Sequence, residues 1–260
     1  MAFVSQPSYY ELGPIRPPSE AHSLLIRVTR NCPWNRCTFC STYKGTRFEL
    51  RSVDEVKRDI VAAKAVAERI RVIGEDTGSL ADAASMAYRA APDDCTRNTA
   101  LWLYAGGTSA FLQDADSLIG RTPQLVEIIS FLKETFPSLN RITSYCRSKT
   151  AARKSSEELL SLRDAGLSRA HVGLESGCDE VLAYMDKGVT AKDHVVGGKK
   201  IVESGISLSE YVMPGLGGRR WRSRHAADTA SVLNEINPDF IRLRSISVRA
   251  GMPLYGQVES

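Results

Sequence analysis

Six times along the chain a short run rich in apolar and β-branched residues gives way to a stretch of helical period. This alternation limits the fold more than any other feature. The runs are "SLLIRVT" (23–29), "ALWLYAGG" (100–107), "RITSYCR" (141–147), "RAHVGLES" (169–176), "ISLSEYVMPG" (206–215) and "FIRLRSISV" (240–248). Repeated β-α units argue for parallel strands joined by crossovers, hence an open doubly wound sheet or a partial (β/α) barrel. In either, the loops that follow the strands converge at one end of the sheet, and chemistry gathers there.

The helical stretches carry their own boundary signals. Ser52 and Glu55 form a capping box ahead of an apolar face made by Val53, Val56, Ile60, Ala63 and Ala67. Thr122 with Pro123 opens "TPQLVEIISFLKETF", Ser155 and Glu158 open a helix that ends at Gly166, and another runs from about Thr190 to Gly205. Residues 71–99 hold a second, alanine-rich helical stretch where a short connection would suffice, so a helical insertion is expected between the first helix and the second strand. After the sixth run the chain stops without a helix of ordinary length, which leaves an open or otherwise covered edge. At 260 residues and 43% apolar content one core is enough. We expect an N-terminal extended segment over 1–22, a core over 23–250 and a tail over 251–260.

"NCPWNRCTFC" (31–40) follows the first strand and places Cys32, Cys37 and Cys40 within nine positions. Three soft ligands in one loop, with no Cys or His at close spacing behind them, suit an iron-sulfur cluster. Zinc with a distant fourth ligand and buried structural thiols are the other readings that spacing leaves open. Cys95, Cys146 and Cys178 are scattered and read as buried thiols. The four histidines are also scattered and read as structural. Six cysteines in a chain of this length do not make a secreted disulfide framework. The first residues lack a signal-peptide pattern, and no apolar run reaches the ~18 residues of a membrane helix. A cytoplasmic protein is expected. The 34 basic and 30 acidic residues give a net charge of +4, too mild to call for nucleic acid.

The strand ends share a further pattern. "YAGGT" closes the second run, "HVGLESGCDEVLAYMDKG" follows the fourth and "YVMPGLGG" the fifth. With the three-cysteine loop and its Phe39, these motifs resemble the radical S-adenosylmethionine (SAM) superfamily over about residues 23–250. The cysteine spacing is four then two residues, where three then two is commonest in that superfamily. Thr108 stands where an acidic residue is frequent.

The resemblance implies a partial (β/α)6 TIM-like barrel and a [4Fe-4S] cluster held by Cys32, Cys37 and Cys40. SAM would chelate the remaining iron and be cleaved reductively to a 5′-deoxyadenosyl radical, which abstracts hydrogen from an unidentified substrate. It also implies a reductant such as flavodoxin or ferredoxin. Phe39 would pack along the adenine, and Gly106, Gly107 and Thr108 would meet the SAM amino group. Ser144 and Glu175 would reach the ribose, amino or carboxylate groups, with Lys187 and Arg147 as further contacts. Met213, Pro214, Gly215 and Leu216 would wall the adenine. The alternative is a non-catalytic iron-sulfur or zinc protein that keeps the barrel. The substrate is open, and an anion would suit Arg219, Arg220, Arg222 and Arg224 around Trp221, although a solvated helix start explains that run more simply.

Overall fold

A computed structural model describes residues 9–257. Residues 1–8 of the expected N-terminal segment and 258–260 of the expected tail lie outside the described residues.

The core is one parallel sheet of six strands in sequence order: β1 (Leu24–Arg27), β4 (Ser109–Gln113), β5 (Arg141–Cys146), β6 (Leu167–Glu175), β7 (Ser207–Val212) and β8 (Phe240–Leu243). β1 and β8 do not pair, so the sheet is a partial barrel. Two short strands, β2 (Thr29–Arg30) and β3 (Glu49–Leu50), form a separate antiparallel ribbon. The helices are α1 (Val53–Thr77), α2 (Leu80–Arg89), α3 (Asp94–Tyr104), α4 (Thr122–Thr135), α5 (Ser148–Arg153), α6 (Ser156–Ala165), α7 (Asp179–Tyr184), α8 (Ala191–Glu203) and α9 (Gly218–Ile236).

Strand alternation gives the sheet two different faces. Leu24, Ile26, Leu112, Ile142, Val172 and Leu208 point outward and join one buried core with Ile60, Ile128, Leu159 and Ile201 of the helices. Each such side chain contributes roughly 2 kcal/mol by leaving water. The inward face is aromatic and polar. Phe111 meets Tyr145 edge to face at 5.1 Å, and His171 lies between Tyr145, edge-on at 6.1 Å, and Tyr211, tilted at 6.2 Å. Beside this layer the fully buried Glu20 bonds Arg141 Nη1 at 2.6 Å, Ser23 Oγ at 2.7 Å and His171 Nε2 at 3.1 Å. These contacts close one end of the barrel.

The second strand is not where the sequence places it. Residues 94–104 form α3, and β4 begins at Ser109. The Asp93 side chain caps this helix by accepting from Thr96 N, and Cys95, Thr96, Thr99, Trp102 and Leu103 make a buried face of helical spacing. Gly106 and Gly107, at φ +97° and +66°, donate to Leu103 O and Trp102 O in a Schellman cap. The glycine pair thus ends a helix, not a strand. The insertion runs through both α2 and α3, which pack on α1.

The insertion has a clear job. Asn98 of α3 accepts from Leu25 N at 3.0 Å and donates from Nδ2 to Ser23 O at 3.0 Å, so an amide side chain pairs the free edge of β1 as a neighbouring strand would. The other edge, β8, leaves Ile241 and Leu243 52% and 69% exposed.

Asn98→Ala leaves a buried donor and acceptor of β1 unpaired and is expected to cost about 2 kcal/mol in urea unfolding. Burial opposes ionisation of Glu20, but the bonds from His171, Arg141 and Ser23 outweigh it and hold its pKa down at about 2, against an ordinary 4.5. The stability from this ionised carboxylate is complete above pH 4.5 and is lost as pH falls toward 2. Glu20→Gln should therefore melt well below the wild type at neutral pH, by the equivalent of about 3 kcal/mol. The gap between the two melting curves should close across that acid window.

Candidate functional site

The three-cysteine loop is closed at its base by the β2–β3 ribbon, in which Thr29 faces Leu50 and Arg30 faces Glu49. Its internal turns use asparagines at positive φ, Asn31 at +66° and Asn35 at +48°, a conformation that Asn tolerates better than most residues. Asn35 is one of the four residues between Cys32 and Cys37. Its N–H donates to Cys32 Sγ at 3.4 Å and its side-chain amide holds the Tyr43 and Thr46 carbonyls, so the longer spacing is taken up in a single left-handed turn.

One carboxylate fastens both ends of this loop. Asp114, fully buried just beyond β4, accepts on Oδ2 from Arg27 Nη2 at 2.6 Å, Arg27 Nε at 2.9 Å and Asn31 N at 3.1 Å, and on Oδ1 from Tyr43 Oη at 2.8 Å. The segment 185–188 grips the middle. Met185 O accepts from Thr38 N at 3.0 Å, and Asp186 O accepts from Trp34 Nε1 at 2.6 Å. Gly188 lies flat against the Trp34 ring, where a Cβ would fall 2.2 Å from it. A 3-10 turn at Pro253–Gln257 adds Leu254 N to Thr38 O at 2.9 Å.

Cys32, Cys37 and Cys40 line the wall of a cavity of about 850 Å³ at the C-terminal ends of the strands. All three are free thiols, and among the described residues no three His, Cys, Asp or Glu side chains already converge as a metal site. Burial pushes the Cys37 thiol up, Lys187 and Arg147 pull it down, and the other two cysteines raise it again. Lys187 Nζ lies 3.4 Å from Glu175 Oε1 and 5.7 Å from the Phe39 ring centre. Arg147 stacks on Trp34 at 5.2 Å and donates to Lys187 O at 2.8 Å. Glu175 ends β6 at φ +64°, a left-handed conformation that costs a non-glycine residue about 1 kcal/mol or more.

The expected site residues divide accordingly. Phe39, Glu175, Lys187, Arg147 and Met213 join the cysteines around the cavity. The Pro214–Gly215 turn stands behind Met213, and Leu216 packs into a small apolar cluster with Phe39 and Met185. Gly106, Gly107 and Thr108 are at the other end of the sheet, ahead of β4, where Thr108 O accepts from Asn140 N and Arg141 N. Ser144 is turned to the helix layer and donates to Leu112 O at 3.2 Å, because strand alternation sends its neighbour Tyr145 inward. Arg219, Arg220, Arg222 and Arg224 sit on the first turns of α9 away from the cavity. Arg224 pairs with Glu180, and Arg220 lies over Trp221 at 4.5 Å.

The structure adds residues the sequence reading passed over. Asp114 and Asp116 follow the true second strand, and Asp116 accepts from Arg147 N at 3.0 Å and Thr150 Oγ1 at 2.6 Å. Its full burial lifts its pKa to about 6 against these bonds. His194 lines the cavity fully buried, bonded to Ser148 Oγ through Nδ1, with no partner for Nε2. Burial first, then Lys187 and Arg147, hold it neutral with a pKa of about 3. The visible signal for the aspartates was an acidic pair directly after an apolar run, "AFLQDAD".

A family model described as the radical SAM superfamily matches residues 26–229. No curated protein sequence matches the chain. Among solved structures, the chain is similar to the radical SAM methyltransferase TsrM from Kitasatospora setae, whose structure holds cobalamin and a [4Fe-4S] cluster (TM-score 0.60, 16% identity, 90% of this chain and 38% of that one). It is also similar to the methylornithine synthase PylB (0.56, 14%, 90% and 56%). A third is coproporphyrinogen III oxidase HemN from Escherichia coli (0.56, 14%, 91% and 47%). The chain thus spans between about two fifths and just over half of these proteins' lengths. At such identities the likeness establishes the barrel, while the reactions differ among the three.

Asp114→Asn removes the charge that gathers Arg27, Asn31 and Tyr43. Amide hydrogen exchange over residues 31–43 is expected to quicken at least about tenfold, with exchange in the β5 and β6 peptides unchanged.

Proposed function

This chain belongs to the radical SAM superfamily, and on that premise we propose that it is a radical SAM enzyme in which Cys32, Cys37 and Cys40 ligate three irons of a [4Fe-4S] cluster while SAM occupies the adjoining cavity. The observation that carries this reading is the placement of three free thiols on one cavity wall, at the C-terminal strand ends, beside Lys187, Arg147 and Glu175. The donor set fits: thiolates hold iron-sulfur clusters, and two cations beside them offset the charge gained when they ionise.

When bound, the cluster and SAM supply reductive cleavage of a carbon-sulfur bond and with it the hydrogen-abstracting 5′-deoxyadenosyl radical. The chain's own residues bind and orient. Asn35 N–H, already bonded to Cys32 Sγ, stabilises negative charge on that sulfur. Phe39 offers a ring face to the adenine, and Met213, packed on the same apolar cluster, offers an apolar wall. Glu175 and Lys187, held against each other, present one acceptor and one donor to the amino and carboxylate ends of SAM. Gly106, Gly107, Thr108 and Ser144 have no place in this set. The electron comes from a reductant of flavodoxin or ferredoxin type, and oxygen-labile iron with six free thiols suits a reducing compartment such as the cytoplasm.

The test is anaerobic reconstitution with iron and sulfide, then SAM and dithionite, with 5′-deoxyadenosine measured by chromatography. Wild type should form the nucleoside, and Cys37→Ala should form at least about a hundredfold less. A protein that holds a full cluster yet forms no nucleoside overturns the enzymatic reading in favour of a non-catalytic iron-sulfur protein.

A further inference from the structure

Five cationic side chains face the cavity, Arg16, Arg147, Lys187, Arg244 and Arg249, against Glu175 as the one carboxylate among the described residues lining it. They fall into two groups. Lys187 and Arg147 act on the Cys37 thiol and are tied to Glu175, Trp34 and the backbone of the loop. Arg16, Arg244 and Arg249 have no carboxylate within ion-pair distance among the described residues.

Arg244 lies directly past β8, its N–H bonded to Val212 O at 2.9 Å, which places it over the end of β7 next to Tyr211. Tyr145 and Tyr211 line the cavity together with Arg244. Tyr211 is 7% exposed, yet its hydroxyl has no hydrogen-bond partner. A buried phenol without a partner costs free energy unless something arrives to accept from it. Arg16, Arg244 and Arg249 are exposed at the rim of this concave space, and three cations there without a carboxylate partner set up a positive potential that draws anions.

We infer that the mouth of this cavity is a substrate site for a small molecule bearing at least two negative charges as phosphoryl or carboxylate groups, held by Arg16, Arg244 and Arg249 with a hydrogen bond from the Tyr211 hydroxyl. The inference rests on the reading of the cavity as the reaction chamber and adds the class of molecule that chamber accepts. Guanidinium forks match both oxyanions in geometry. The cations on the thiol side serve the cofactor, and these three are left for the substrate.

The reconstituted 260-residue chain is titrated by calorimetry with pyrophosphate and separately with citrate, each with SAM present and again without it. Saturable binding of either probe to wild type is expected, and which one binds tells phosphoryl from carboxylate. The Arg244→Gln/Arg249→Gln double variant should bind at least about tenfold more weakly. Tyr211→Phe keeps the ring and removes only the unpartnered hydroxyl. It should melt no lower than wild type and still bind the probe about three- to tenfold more weakly, a pairing that a purely structural role would not produce. If neither probe binds wild type, if all variants bind alike, or if SAM abolishes binding that occurs without it, the inference is overturned. The last outcome would assign the arginines to the cofactor. Nucleoside formation measured on the same wild-type preparation tests the cofactor reading separately, so either can fail without the other.

Discussion

The site hangs on a buried ion pair between Arg27, the last residue of β1, and Asp114, just past β4. Burying two charges is costly, and such a pair persists where further bonds complete it. Asp114 takes four donors, two from Arg27 and one each from the start and end of the cysteine loop. Arg27 reaches on to Glu11, which Arg30 also grips, and Arg30 continues to Glu49 and Glu55. The same charges therefore join two neighbouring strands, the N-terminal segment, the ribbon under the loop and the capped start of α1. A loop of eighteen residues with little regular structure keeps its shape because its ends are fastened to the sheet.

The second condition is the difference between the two faces of that sheet. Outward residues are mostly aliphatic and fuse with the helices, with Ser144 and Glu210 as buried polar exceptions, while inward residues are aromatic, hydroxylic or charged. A parallel sheet covered by helices needs the first. The second suits a cavity that takes a polar ligand, and two cavity-lining groups, the Tyr211 hydroxyl of β7 and His194 Nε2 of α8, are buried there without a partner.

How much of this the sequence revealed depended on the signal. Five strands and most helices were readable because β-branched runs and capping boxes are local. Cys32, Cys37 and Cys40 were readable because three soft ligands in one turn have few other uses. "ALWLYAGG" misled because a short apolar run fits strand or helix, and Gly106-Gly107 closes either. The deciding cue was the Asp93 cap with buried positions at helical spacing from Cys95 to Leu103. Ser144 was placed on the right strand and the wrong face, since both faces of a parallel strand are buried and alternation shows no polar side. Asp114 gave no motif at all, only an acid after a strand. Its importance arises from partners 71 and 87 residues distant. Arg244 and Arg249 sit in coil past the last strand, where nothing local sets them apart from other surface arginines.

The buried knot of Glu20, His171, Arg141 and Ser23, with the aromatic layer beside it, stops the barrel at its N-terminal end. The C-terminal strand ends and the side where β1 and β8 do not pair stay free of this plug. A molecule bound against the thiol-bearing wall would therefore not be reached from the N-terminal end of the strands. Four side chains that line no part of the cavity thus remove one route by which solvent or a ligand could reach the thiols.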